Sequence, residues 1–262
     1  YERISYLHFL TGSEYKDFKK TTEQIHSCME LCDGYFTSTD TLAGEIRREF
    51  PGKPVVINRN CASMEMQILS HDAVEQVEKD PEHISIGYFS GSKTHDQDFE
   101  VAEEAILEVM KEHPEVRLKL VGVLSDRKME KFGNKVEKLP FMDWRQLPGV
   151  IAGLDINLMP LENSLFHCCK SENKWTEAAL VKVPSVMSRN REMEYVIENG
   201  KDGWMCATKE EWVSALESLV TDEKARKAMG EAAHEKVMEH YLTENTGKDA
   251  MEELLCSESY TK

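Results

Sequence analysis

The sequence is short of basic residues. Lysine and arginine together number 32 against 48 aspartates and glutamates, which gives a formal net charge of −16. The field of such a chain repels nucleic acid and anionic membranes, so a general affinity for either is excluded. A site for an anionic ligand must therefore be built locally, from a few cations and from helix N-termini.

Long apolar runs are missing as well. No stretch approaches the roughly 18 apolar residues of a membrane span. No internal repeat and no low-complexity tract is present. The chain starts at Tyr1 and not at a methionine, from which we expect that it was cut from a longer protein.

The seven cysteines show no paired spacing that is typical of metal ligands. Cys28 and Cys32 are four apart in a helical pattern, while Cys168 and Cys169 are adjacent, and adjacent cysteines rarely form a disulfide with each other. An odd total without a framework predicts reduced thiols in a cytoplasmic protein and no bound metal.

What remains is the composition of an ordinary globular protein. Hydrophobic residues make up 40% and charged residues 31% of the 262 positions. This length accommodates one large domain, or one complete domain and part of another.

The pattern of the first part of the chain predicts a small α/β unit. Residues 34–39 and 54–60 have the composition of short strands, and residues 39–50 have a helical pattern that stops before a Pro-Gly pair. Two strands with a helix between them form a parallel βαβ unit. We assign residues 1–62 to a first region that contains this unit, and the charge-rich residues 63–83 to a linker.

From residue 84 onward, strand-like and helical segments alternate regularly. Residues 84–91 and 116–122 read as buried strands, and residues 98–113 between them read as an amphipathic helix. Its inward residues are Phe99, Ala102, Ile106, Val109 and Met110. This alternation predicts an α/β fold with a doubly wound, mainly parallel sheet. We assign residues 84–241 to this Rossmann-like domain and residues 242–262 to a C-terminal helix.

Residues 168–188 carry the most distinctive charge pattern. Read as a helix from about Ser171, which is then the N-cap, the segment places Lys170, Lys174 and Glu177 on one stripe. Two lysines of one stripe repel each other, and an anion bound at the helix start would account for them. On helical charge alone, the preferred interpretation is a solvated face on which Lys174 pairs with Glu177.

Two loops after strands are candidates for phosphate contacts. Gly91, Ser92 and Lys93 offer a close backbone approach, a hydroxyl and an ammonium group, without the spacing of either common nucleotide-binding motif. Taken alone they are ordinary turn residues. Arg127, after the following strand, reaches the same anion in one interpretation and is a solvent-exposed arginine in the other.

A third loop, after the segment VEKLP, contains Phe141, Met142, Asp143 and Trp144. Backbone groups and an aromatic ring there can hold a nucleotide base, although Trp144 is equally compatible with a core position. Glu177 can accept hydrogen bonds from a ribose diol, as an acidic residue does in dinucleotide sites.

Five segments in order carry a family resemblance: IGYFSGSKTHDQDFE, VRLKLVG, LPFMDWRQLPGVIAGLDINLMPLEN, CKSENKWTEAALVKVPSVMS, and ENGKDGWMC followed by EEWVSALESLV. Together they resemble the C-terminal half of a GT-B glycosyltransferase of the large retaining group called family 4 or group 1. The resemblance extends from about residue 84 to residue 241. Residues 34–60 are similar to the end of the N-terminal, acceptor-side domain of such enzymes. The resemblance thus implies that residues 1–62 are the C-terminal remnant of that domain.

The resemblance implies roles for the charged segment. Glu177 matches the second glutamate of the family's Glu-x7-Glu pattern, while Cys169 stands where the first glutamate is expected. Lys170, Ser171 and Lys174 match a subgroup that reads CKSE. The resemblance thus places Glu177 on the ribose and the lysines on the diphosphate.

The implied activity is transfer of a sugar from a nucleoside diphosphate sugar to a sugar or glycan acceptor, with retention and without a metal or another cofactor. The implied setting is polysaccharide or glycoconjugate synthesis in the cytoplasm, with peripheral association at the inner face of the membrane through the N-terminal domain. Because the acceptor site lies in that domain, we expect this chain by itself to bind the donor and to be inactive in transfer.

Two alternatives share this architecture. A sugar-nucleotide epimerase or hydrolase would turn over the donor without an acceptor, and a nucleotide-sugar binding module would not turn it over at all. A dinucleotide oxidoreductase is disfavoured because no GxGxxG sequence opens a βαβ unit.

Overall fold

A computed structural model describes residue 7 and residues 10–91, 96–124, 127–246 and 248–256. Its contacts divide the chain into two compact units. The smaller unit is formed within Tyr1–Arg59, Ser164–Ser171 and Thr246–Lys262, and the larger unit within Asn60–Asn163 and Glu172–Asn245. Among the described residues no helix is both long and apolar enough to cross a membrane.

The described helices and strands follow one another along the chain. In order they are α1 (Gly12–Glu30), β1 (Tyr35–Thr37), α2 (Asp40–Glu49), β2 (Val55–Ile57), α3 (Met64–Gln76), β3 (Ile84–Ser90), α4 (Asp96–Glu112), β4 (Val116–Gly122), β5 (Val136–Leu139), α5 (Leu147–Ala152), β6 (Ile156–Met159), α6 (Leu165–Cys168), α7 (Asn173–Leu180), β7 (Ser185–Ser188), α8 (Met193–Val196), β8 (Trp204–Cys206), α9 (Lys209–Thr221), α10 (Glu223–His240) and α11 (Lys248–Cys256). Two 3-10 helices, Arg127–Lys135 and Trp144–Gln146, flank β5.

The smaller unit contains the predicted βαβ arrangement. β1 and β2 pair in parallel, with Tyr35 opposite Val55. Thr39 begins α2 by accepting a hydrogen bond from the backbone N–H of Leu42. Apolar side chains from the two strands and α2, among them Ala43, form the small core. The strand and helix patterns of the sequence were sufficient to predict this unit, because its three elements are neighbours along the chain.

The larger unit is built on a six-stranded sheet in the order β5-β4-β3-β6-β7-β8. Every pairing in it is parallel. From β3 the chain adds strands outward to β5, then returns to the other side of β3 and adds β6, β7 and β8. The predicted doubly wound parallel sheet is confirmed. In such a sheet the switch between β3 and β6 opens a crevice at the carboxyl ends of the strands.

Two helical layers bury the sheet on both faces. On one face, α4 and α9 pack through Phe99, Ile106, Trp212 and Leu216, and all five inward residues predicted for α4 are at most 1% exposed. On the other face, α7 and α10 pack around Trp175. Burial on both faces explains why β6 and β7 each bury four residues in succession, whereas β4 shows an alternating pattern.

The two units differ from the assigned ranges, since Ser164–Ser171, assigned to the larger domain, belong to the smaller unit. Residues 63–83, assigned to a linker, contain helix α3, which begins at the N-cap Ser63 and packs on α5 and α7. Its buried residues are Ser70 and Ala73, so it lacks a conspicuous apolar stripe. Helix α11 returns to the smaller unit, where Leu254 packs on Val56. Composition does not reveal such a long-range return.

Candidate functional site

A cavity of about 380 Å³ lies at the carboxyl ends of β3, β4 and β5, within the larger unit. We call it the carboxyl-end cavity. The strand ends contribute Phe89, Ser90, Gly91, Val121 and Gly122; the loop after β5 and the start of α5 contribute Phe141, Met142, Asp143, Trp144 and Leu147; and α7 contributes Lys174 and Glu177. The cavity is thus at the place where open parallel sheets bind ligands.

The ends of β3 and β4 approach closely at the floor of this cavity. Gly122 has a φ of +99°, and a Cβ at this position would lie 1.8 Å from the carbonyl oxygen of Ser90. Only glycine permits both the left-handed backbone and this approach. The hydroxyl of Ser90 donates a hydrogen bond to the carbonyl of Val123 at 2.7 Å, which joins the two loops.

Helix α7 supplies a charged wall. Lys174 and Glu177 are three residues apart and therefore lie on one helical face, while Trp175 points into the core and donates its indole N–H to the carbonyl of Asp202 at 2.7 Å. The Lys174 ammonium lies 5.0 Å from the ring centroid of the buried Tyr88. A cation is thus held over the end of β3.

The Glu177 carboxyl group is in an unusual environment. Burial raises its pKa above the ordinary value, and the charge of Lys174 partly offsets that effect. Among the described residues, no hydrogen bond or ion pair is made by this carboxylate. A desolvated carboxylate has strong acceptor oxygens, and ligand hydroxyl groups that donate to them would compensate for the lost water.

The start of α7 differs from the prediction. The segment is not one helix from Ser171: α6 ends at Cys168, and α7 begins at Asn173 with the fully buried Glu172 as its N-cap. The predicted capping role of Ser171 is therefore wrong, and Lys170 does not belong to the helical stripe of α7. The break has no glycine or proline, so the sequence gives no local signal of it.

The predicted site residues fall into three groups. Gly91, Phe141, Met142, Lys174 and Glu177 line the carboxyl-end cavity together. By contrast, Lys170 and Ser171 are part of the smaller unit, where the Lys170 ammonium lies 5.3 Å from the ring centroid of Phe166.

The third group is not described by the structure. Ser92 and Lys93 lie outside the described residues, as does the side chain of Arg127, whose backbone begins a 3-10 helix. Their assignment to the ligand's phosphates stays a prediction.

A second cavity, of about 410 Å³, lies beside the first in the same unit. We call it the side cavity. Its lining residues are Asn60, Cys61, Ala62, Ser63, Met66, Trp144, Asn173, Thr176, Glu177 and Leu180. Trp144 and Glu177 therefore line both cavities. Trp144 is 36% exposed, which decides between its two interpretations: it is a cavity residue and not a core residue.

Comparison with models of protein families shows the family of the chain. Residues 84–222, more than half of the 262 residues, match the model of the family described as Glycosyl transferases group 1. The chain belongs to this family. The group 1 glycosyltransferase match covers all six strands of the large sheet and helix α7. No curated protein sequence matches the chain.

Solved structures of other proteins have the same fold. HepE of Anabaena, in complex with UDP and glucose, aligns with a TM-score of 0.67 at 14% identity over 86% of this chain and 63% of its own. Sucrose-phosphate synthase of Thermosynechococcus elongatus aligns with 0.65 at 14% identity over 93% and 63%. TarM of S. aureus aligns with 0.63 at 17% identity over 97% and 48%.

These likenesses confirm the C-terminal GT-B fold of this group 1 glycosyltransferase chain. At identities of 14 to 17% they speak for the fold alone. The chain spans less than two thirds of the length of each of these structures.

Proposed function

We propose that the chain binds the donor of a glycosyltransferase that moves a sugar from a nucleoside diphosphate sugar to an acceptor hydroxyl, with retention of configuration. The observation that carries this proposal is the pairing of Lys174 and Glu177 on the wall of the carboxyl-end cavity. A cation and a hydroxyl acceptor three residues apart match the two polar parts of a nucleoside diphosphate, its phosphates and its ribose.

Different residues of the cavity contact the base, the ribose and the diphosphate of the donor. Phe141, Met142 and Trp144 offer apolar and aromatic surface to the base. Glu177 accepts hydrogen bonds from the ribose hydroxyls, which compensate for the burial of its carboxylate. Lys174 then lies on the side of the diphosphate, over the end of β3.

Lys174 also contributes to the chemical step. When the glycosidic bond breaks, negative charge accumulates on the leaving diphosphate. A fixed ammonium stabilises that developing charge more than it stabilises the bound donor, which lowers the barrier. In this proposal Lys170, Ser171, Ser92, Lys93 and Arg127 are further candidates for the diphosphate, and no metal is required.

The related structures support this choice of donor. HepE was crystallised with UDP and glucose, and TarM with UDP and α-GlcNAc-glycerol. By analogy, we propose a nucleotide sugar as donor, a sugar or glycan as acceptor, and a role in polysaccharide or glycoconjugate synthesis.

Calorimetric titration of the chain with UDP, CDP, GDP and ADP tests donor binding. We expect binding of at least one diphosphate, unchanged by EDTA. If none of the four binds, the proposal fails.

Incubation with the corresponding nucleotide sugars, with and without sugar acceptors, tests the reaction. Diphosphate release that depends on the acceptor identifies a transferase. Release without an acceptor identifies an epimerase or hydrolase, and binding without any release identifies either a binding module or a donor domain that needs the remainder of the enzyme.

A further inference from the structure

Trp144 lies between the carboxyl-end cavity and the side cavity. It lines the carboxyl-end cavity and also the side cavity, and only Glu177 shares this double position among the described lining residues. Since the proposed function places the ribose at Glu177, the base attached to that ribose lies near this boundary. The indole of Trp144 therefore limits the space on one side of the base.

The indole is held by a neighbouring cation. The guanidinium carbon of Arg145 lies 4.5 Å from the ring centroid of Trp144, within the range of a cation–π contact. The Nε–H of Arg145 donates to the Glu65 carboxylate at 2.6 Å. Glu65 is in the first turn of α3. Trp144, Arg145 and Glu65, which we call the Trp144 clamp, thus connect the loop after β5 to a different helix.

A second contact fixes the backbone of the clamp. Asp143 is the N-cap of the 3-10 helix Trp144–Gln146, and its carboxylate accepts a hydrogen bond from the backbone N–H of Arg145 at 3.0 Å. The same carboxylate lies 3.6 Å from the Arg145 guanidinium. Both the backbone and the side chain of the residue behind the indole are therefore restrained.

We propose that Trp144, positioned by this clamp, determines which nucleoside base the carboxyl-end cavity accepts. The inference rests on the proposed function, because it requires a nucleoside in that cavity. A purine occupies more area than a pyrimidine, and the additional space lies in the side cavity, beyond the indole. Trp144 in its clamped position closes that space to the base.

Substitution of Trp144 tests whether this residue determines the choice of base. We expect Trp144→Ala to raise the affinity for GDP and ADP relative to UDP and CDP by about tenfold, which is the usual size of a discrimination based on apolar shape. Trp144→Phe retains a smaller ring and should give an intermediate ratio. Calorimetric dissociation constants for the four diphosphates provide the measurement, and equal ratios in all three proteins would overturn the inference.

The clamp is tested through its coupling to the indole. Glu65→Gln removes the charge that ties Arg145 to α3 and should weaken binding of the preferred diphosphate by about two- to fivefold, as expected for an exposed ion pair. In the Trp144→Ala background the same change should have no effect, because no indole remains to be held. An equal loss in both backgrounds would contradict the positioning role.

A matched control is available in the same unit. Lys201 and Glu198 form another exposed ion pair, with 2.7 Å between Nζ and Oε2. Glu198→Gln should change neither affinity nor selectivity. If the wild-type chain binds none of the diphosphates, the proposed function and the inference fail together; if it binds them and Trp144→Ala leaves the ratios unchanged, only the inference fails.

Discussion

The two ends of the large sheet hold charged cavities of opposite character. At the amino ends of β3, β6 and β7, a cavity of about 430 Å³ is lined by Lys79, Asp155, Lys182, Arg226 and Lys227, among others. We call it the amino-end cavity. Asp155 lies 3.6 Å from the Nε of Arg226 and 3.9 Å from the Nζ of Lys79.

The other cations of the amino-end cavity are also paired. Lys227 contacts Glu223 at 2.6 Å and Lys182 contacts Glu231 at 2.9 Å. At the carboxyl end, the Lys174 ammonium lies 5.0 Å from the ring centroid of Tyr88, and burial raises the pKa of Glu177.

The difference lies in the carboxylates: Asp155 pairs with Lys79 and Arg226, whereas Glu177 makes no hydrogen bond or ion pair among the described residues. Carboxylates of the chain itself neutralise the cations of the amino-end cavity, so these charges contribute to folding. The carboxyl-end cavity keeps a desolvated acceptor beside a cation, an arrangement that costs stability and favours a ligand. We therefore expect substitutions at the amino end to affect stability, and substitutions at the carboxyl end to affect binding.

The largest expected effect is on stability. Asp155→Ala leaves the guanidinium of Arg226, a residue only 9% exposed, without its carboxylate, and the backbone N–H of Ser85 loses its acceptor at 2.9 Å. The cost of breaking a buried pair in this way is about 3–5 kcal/mol. Urea unfolding measures it, with Lys227→Ala as the exposed control, for which we expect a change within about 0.5 kcal/mol. If the folded fraction of the Asp155 variant binds nucleotide more weakly than wild type, the assignment of the amino-end charges to stability alone is wrong.

The next effect is on binding. Lys174→Ala removes the cation proposed for the diphosphate, and affinity for the preferred nucleoside diphosphate should fall about ten- to hundredfold, the value of a hydrogen bond to a charged group. In the intact enzyme turnover should fall too. Lys182→Ala, which removes another lysine, one that contacts Glu231 just beyond the other end of α7, serves as the matched control. Calorimetry measures both affinities for the diphosphate. If the two variants bind it equally well, the assignment of binding to the carboxyl end is wrong.

A smaller effect is a dependence of stability on pH. Because the folded pKa of Glu177 lies above its ordinary value, the folded state holds the proton more tightly than the unfolded state does. Charging Glu177 therefore destabilises the fold as the pH rises from the ordinary value through the folded value, and the penalty is complete above that window. Glu177→Gln does not titrate, so its stability relative to wild type should increase across the window. Urea unfolding from acidic to neutral pH measures this, and a constant difference would refute the assignment.

The smallest effect is expected at the mouth of the carboxyl-end cavity. Phe141 lines the cavity but is 68% exposed, so Phe141→Ala should change stability by no more than about 0.5 kcal/mol. Its loss of ring contact with the base should weaken nucleotide binding about threefold, within the range of a single aromatic pair. Thermal unfolding and calorimetry separate the two quantities. A stability loss larger than the binding loss would assign Phe141 to the fold.

Much of the fold follows from the sequence. The apolar residues of α4 recur at helical spacing, and all five predicted inward positions are buried. The alternation of strands and helices from residue 84 onward was sufficient to predict a parallel sheet. Lys174 and Glu177 are three residues apart on a helix, so local backbone geometry alone puts them on one face. These features depend on neighbours within one or two turns, which a pattern records directly.

The tertiary structure decided what depends on distant residues. Sequence alone does not place Glu65 behind Trp144, because the packing of α3 beside the loop after β5 brings them together. It also does not mark the break before α7, which begins directly after the fully buried Glu172. The raised pKa of Glu177 likewise comes from burial. The sequence thus determined the sheet and the charged helix, whereas long-range packing determined which side chains share a cavity and what their charges cost.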